Sequence, residues 1–188
     1  MFSAQSIKAA VALALADGKP LAQTDAHSCR RNLQFLYHAI VASEPLLRLA
    51  IDHSSGLLKS YFEDHLMEEA GHDMWLAEDL GDVGEPHSLA VAMVGSQYYL
   101  IQHVHPCALL GYMVLMECFP PAVAQVAAME KMHGPKLFRT LRHHAEHDPQ
   151  HGSEVLDQID QLTEKQQEIV LNSAVQSARY MALASHLF

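Results

Sequence analysis

The stretch Tyr61-Phe62-Glu63-Asp64-His65-Leu66-Met67-Glu68-Glu69-Ala70-Gly71-His72-Asp73-Met74-Trp75-Leu76 decides how this chain is read. Wound as one helix, at about 100° per residue, it brings His65, Glu69 and His72 within an arc of roughly 60°, with Glu68 beside them. The apolar stripe of that helix runs Leu58, Phe62, then 65, 69 and 72, then Leu76. A carboxylate and two imidazoles therefore stand where core side chains are expected. Buried without partners they would be costly, and a metal ion that accepts nitrogen and oxygen ligands would satisfy them. Alone, the stretch is equally compatible with a solvated helix whose histidines sit at its edge.

A second copy downstream favours the metal. His144, Asp148 and His151 repeat the spacing, His-x3-Asp-x2-His after His-x3-Glu-x2-His, and interrupt a stripe of Leu137, Leu141 and Val155. Inward nitrogen and oxygen ligands on two helices are how metal sites are built in bundle cores. A third helix, opened by Pro106, is almost unbroken apolar sequence from Ala108 to Phe119, with Glu117 its one charge. Glu117 is either an exposed carboxylate at a helix end or a buried, compensated one able to bridge two metals. His65, Glu69, His72, Glu117, His144, Asp148 and His151 are too many for one tetrahedral zinc and suit two five- or six-coordinate ions. Glu68 and His147 are reserves, as ligands or as partners that orient ligands. Pro149 either kinks the second ligand helix or lets Asp148 cap a new one.

The rest of the chain bounds the class. Its 188 residues suffice for one domain, 1–188, with a substantial core. Lys and Arg number 12 against 22 Asp and Glu, a net charge of −10. That balance argues against nucleic acid and anionic membranes as partners. The 14 histidines outnumber all Lys and Arg. Cys29, Cys107 and Cys118 are scattered, which fits a reducing, cytoplasmic setting and gives neither a disulfide framework nor a zinc motif. Cys107 has no base near it in sequence. No apolar run approaches the ~20 residues of a membrane span. Homodimerisation is the default expectation for a soluble bundle.

Turn residues divide the chain into some eight helices with no sheet, an all-α fold. They run over about 4–16, 25–50 (capped by Thr24 or Asp25 and bent near Pro45), 57–80, 88–102 (capped by Ser88), 106–119, 121–132, 136–160 and 163–186. His103 and His105 read best as helix-capping residues. Trp75, Tyr98, Tyr99, Met93, Met113 and Met116 read first as core and second as the wall of an apolar substrate channel.

The run His65 to Trp75 with Asp79-Leu80 after it, His105-Pro106 through Leu110-Gly111-Tyr112 to Glu117, and His144-x3-Asp148-x2-His151 together resemble the haem-oxygenase-like iron-containing redox enzymes. These are also called haem-oxygenase-like di-iron oxidases and oxygenases, and the resemblance covers residues about 57–160. It implies a haem-oxygenase-like bundle of about seven to eight helices around two Fe(II) ions. It also implies activation of O₂ as co-substrate, to N-oxygenate or oxidatively cleave a small amino-acid-like, fatty-acid or other carboxylate substrate in metabolite biosynthesis. Glu69, His72, Glu117, His144, Asp148 and His151 match the family's ligand positions. Where several members have a carboxylate this chain has His65, which makes the set rich in histidine. Three alternatives stand beside this reading: a haem oxygenase, a thiaminase-like hydrolase relying on Cys107, and a non-catalytic metal- or O₂-binding bundle.

Overall fold

Short breaks, more than long loops, shape this fold. The structure is a computed structural model; it describes residues 2–19 and 25–187, and the side chains of all of these except His72, Asp148 and Pro149. Ten α-helices follow one another with no strand among the described residues. They are α1 (Ala4–Leu15), α2 (Ala26–Ile40), α3 (Ser43–His53), α4 (Gly56–Glu69), α5 (His72–Leu80), α6 (Ser88–His103), α7 (Ala108–Cys118), α8 (Val123–His133), α9 (Arg139–Asp160) and α10 (Glu164–Leu187). A 3₁₀ turn, Pro135–Phe138, precedes α9.

Two expected helices are each split in two, and both splits have local causes. The expected helix over 25–50 breaks at Val41-Ala42, ahead of Pro45. Pro45 then falls in the first turn of α3, where its missing N–H costs no helical hydrogen bond. The expected helix over 57–80 breaks at Ala70-Gly71, where Gly71 takes φ +89. Only glycine enters that left-handed region without penalty, so it stops α4 and lets α5 begin at His72. Asp25 caps α2 through the His27 and Ser28 N–H groups; Thr24, the other expected cap, lies outside the described residues. The cap of α6 is the His87 ring, which accepts the Leu89 N–H, and not Ser88. The helix expected over 136–160 persists through Pro149 as one element after its 3₁₀ start.

The core has two parts. The larger gathers α1, α2, α3, α4, α6, α7, α9 and α10 around Phe62, Met93, Leu109, Leu110 and Ile159. The smaller joins α2, α5, α8 and α9 through Leu33, Leu76, Met129 and Phe138. The break at Gly71 thus lets one run of sequence serve both: α4 puts Phe62 in the first, α5 puts Leu76 and Leu80 in the second. The central helix is α7, buried from Ala108 through Leu115. It lies close against α10, because a Cβ on Gly111 would meet the Val170 carbonyl oxygen at 2.4 Å and the Ala174 nitrogen at 2.7 Å. Between α6 and α10, fully buried Gln97 bridges the Ser173 and Ser177 hydroxyls at 3.0 and 3.2 Å. No single helix among the described residues is long and apolar enough to cross a membrane.

Gly111→Ala is expected to lower unfolding stability by about 1–3 kcal/mol through forced separation of α7 and α10. Gly95→Ala on α6, where nothing lies within 4 Å, is expected to raise it by up to about 1 kcal/mol from helix propensity alone. Urea titration of both variants checks the contrast.

Candidate metal centre

Three helices bring the polar groups together. From α4 come His65, Glu68 and Glu69; from α7, Glu117; from α9, His144 and His151. The α4 backbone packs along α3 and reaches α7 and α9 through these long side chains. His65, Glu69 and Glu117 are each at most 9% exposed, so their charge and hydrogen-bonding capacity are carried inside the bundle. Glu117 is therefore the buried carboxylate of the two readings its sequence allowed.

The spacing of the donors fits an ion better than hydrogen bonds. His65 Nε2 lies 3.8 Å from a Glu117 oxygen, and His65 Nδ1 lies 3.7 Å from Glu68. His151 Nδ1 stands 3.8 Å from Glu69 and 3.7 Å from Glu117, and its Nε2 is 3.6 Å from Glu68. These separations exceed hydrogen-bond length. Two donors each about 2.0–2.2 Å from one ion are separated by about 3–4 Å, depending on the angle between them. His65, Glu69 and Glu117 form one group able to hold a metal ion; His65, Glu68 and His151 form another, and His65 belongs to both. The buried Nδ1 of His151 makes no hydrogen bond. The Glu117 carboxylate beside it, helped by Glu68 and Glu69 and opposed by burial, holds the His151 imidazolium up to about 9. Imidazole and carboxylate without thiolate suit iron, manganese or zinc.

A glycine sets this convergence. A Cβ on Gly152 would meet the Glu117 carbonyl oxygen at 2.9 Å and Cys118 Sγ at 3.2 Å. Its absence lets α9 approach α7 one residue after His151 and carries that ring to the Glu117 carboxylate. Gly152 was missed in the sequence, although an isolated glycine inside a strongly helical run is the signal for such an approach. Tyr61 was missed too: its ring stacks on His65 with centroids 5.9 Å apart, and burial, with Glu117 nearby, pushes its phenol far above the usual range.

Not every candidate converges in the same way. His144 is half-buried and lines a cavity beside Glu69 and Glu117. Glu68, held in reserve on sequence grounds, is close enough to join a ligand group, whereas exposed His147 bonds the His143 carbonyl at 2.8 Å. His72 opens α5 and does not continue the α4 face, which corrects the single-helix geometry expected of it. The side chains of His72 and Asp148 lie outside those described. His105 caps the start of α7's segment by accepting the Cys107 N–H at 3.1 Å. Met93 belongs to the core, while Met116 lines the cavity.

That cavity holds about 280 Å³ and is mostly apolar, walled by Leu36, Ile40, Leu115, Met116 and Leu141 with Glu69 and Glu117 at one end. Cys107 is not part of its wall. It is fully buried, its thiol pushed up to about 12 by desolvation and facing the Gln166 carbonyl.

Comparison with known proteins places the fold. No family model matches the chain, and no curated protein matches it by sequence. Among solved structures it is similar to a domain of unknown function with a haem oxygenase-like fold from Shewanella denitrificans OS217. The TM-score is 0.71 at 18% identity, over 98% of this chain and 88% of that one. It is also similar to a TenA homolog from Pseudomonas syringae pv. tomato str. DC3000, with TM-score 0.70, 12% identity, and 97% and 90% of the two chains covered. The chain has a haem oxygenase-like fold, one shared by enzymes.

Because the thiolate of Cys107 is disfavoured and its sulfur inaccessible, Cys107 is expected to resist iodoacetamide in the native protein at pH 8. It should label once the protein is unfolded in guanidinium. Mass spectrometry of the peptide containing Cys107 provides the test, and rapid native labelling would return Cys107 to consideration as a nucleophile.

Proposed function

We propose that this protein is a non-haem di-iron oxidase or oxygenase that uses O₂ to oxidise a small molecule. The observation that carries the reading is the pair of overlapping ligand groups sharing His65, one of them buried and bordering an apolar cavity through Glu69 and Glu117. His65, Glu69, Glu117, His144 and His151 would hold the metal, with Glu68 at the outer edge and His72 and Asp148 as further ligands implied by resemblance. Iron bound there would supply the electrons that activate O₂.

The chain's own residues account for the remainder. The carboxylates of Glu69 and Glu117 offset the charge of two cations in a place water does not reach freely. Apolar walls hold the substrate body beside them and keep bulk water out. Gly152 keeps α9 near enough for His151 to contribute. An O₂-carrying bundle needs room for a diatomic molecule only; a cavity of about 280 Å³ is near the lower end of small-ligand pockets and favours a substrate. A thiaminase-like hydrolase relying on Cys107 is disfavoured by that thiol's burial.

Anaerobic titration of metal-free protein with Fe(II) is expected to give about two bound ions per chain. His151→Ala and Glu117→Ala should each lose that uptake. Gly152→Ala, which alters no ligand, should weaken it by about tenfold, as substitutions that misplace ligands do. On admitting air, O₂ consumption should depend on loaded iron. Iron uptake indifferent to both ligand substitutions would sink the reading.

A further inference from the structure

A polar cavity of about 650 Å³ lies between α4 and α9 and shares no wall residue with the apolar one. Tyr61, Asp64, His65 and Glu68 line it from α4, and Glu154 and Asp157 from α9. The α9 residues continue the stripe on which His151 stands. Glu154 and Asp157 follow that histidine at three-residue steps, about 4.5 and 9 Å further along the helix axis. At the inner end are His65 and Glu68, which with His151 form one of the two ligand groups. At the outer end Asp64 and Asp157 are exposed. Four carboxylates thus lead from solvent to a ligand group, and no Lys or Arg is in the wall among the described residues. Tyr61 borders the same cavity, yet its buried hydroxyl makes no hydrogen bond among the described residues. Leaving such a group unpaired is unfavourable, and the water of a hydrated cation is a donor that would satisfy its oxygen.

We propose that this cavity is the entry route of the metal: it draws a hydrated divalent cation from solvent and delivers it past Glu68 to His65 and His151, leaving the apolar cavity to the substrate. Glu154 and Asp157 are not ligands in this account. They act through the field they set up in a cleft lined by one sign of charge, which raises the rate of association and fades as salt screens it. The proposal rests on the oxidase reading for there being a metal to admit. It adds which face of the bundle the ion crosses and which residues govern the speed of loading.

The test follows anaerobic Fe(II) uptake by the full metal-free chain, with free ion trapped at intervals by a chromogenic chelator. Glu154→Gln with Asp157→Asn is expected to slow uptake by about three- to tenfold at low ionic strength, and by less at high. The number of ions finally bound and their rate of release should not change. Glu44→Gln with Glu85→Gln removes the same charge from outside this wall and should leave uptake near the wild-type rate. All four changes replace a carboxylate by its isosteric amide, and helical circular dichroism checks each fold. Asp157→Asn alone, at an exposed position, should slow uptake in the same direction by a smaller factor and serves if the double variant is unstable. Uptake indifferent to Glu154 and Asp157, equal slowing by both pairs, or faster release in place of slower uptake would each overturn the proposal while leaving the oxidase reading intact. Wild-type protein that takes up no Fe(II) would overturn both.

Discussion

Burying Glu69 and Glu117 beside His65 and His151 strips water from two carboxylates and two imidazoles at once, a cost that apolar packing elsewhere in the bundle must offset or that a bound cation must remove. The rest of the structure follows from how that cost is handled. α7 is apolar along nearly its whole length, which lets it run through the centre and deliver a single carboxylate near its C-terminus. α4 and α9 lie either side with their polar faces turned toward it. Nitrogen and oxygen atoms at 3.6 to 3.8 Å lie beyond hydrogen-bond length but within ion-pair range, and near enough to share an ion.

Backbone approach sets this geometry as much as ligand identity does. Gly111 fits α7 against α10, and Gly152 fits α9 against the Glu117 backbone, so the same central helix is gripped from two sides by contacts that a methyl group would prevent. The left-handed Gly71 performs a different task. By ending α4 directly after Glu69 it leaves that carboxylate at a helix terminus, where three cavities converge. Such a junction sets an apolar chamber on one side of Glu69 and a pocket lined by Glu44, Arg48 and Asp73 on the other.

Much of this was legible in the sequence because polar residues in an apolar stripe are conspicuous. His65 and Glu69 break the periodicity of α4, and Glu117 stands alone in the apolar run of α7, so the helices and the groups brought together could be read from spacing. The all-α class followed from turn residues, and the helix expected over 163–186 forms, with Thr163 accepting the Gln166 N–H ahead of it. What could not be read was where continuous periodicity stops. Glu-Glu-Ala-Gly-His carries a C-terminal glycine signal that the ligand spacing masked, so His72 was placed on the face of a helix that ends before it. Pro149 suggested a kink or a new helix start, yet α9 runs through it as one element, with Ala145's carbonyl left without an i+4 N–H.

Crystals of the protein loaded anaerobically with Fe(II), measured on both sides of the iron absorption edge, would test the central claim directly. The account predicts two anomalous peaks about 3.5–4 Å apart, the spacing typical of paired metal sites, in the space between His65, Glu69, Glu117 and His151. A map with no peak there, or with iron only at the His143–His147 stack on α9, would contradict it.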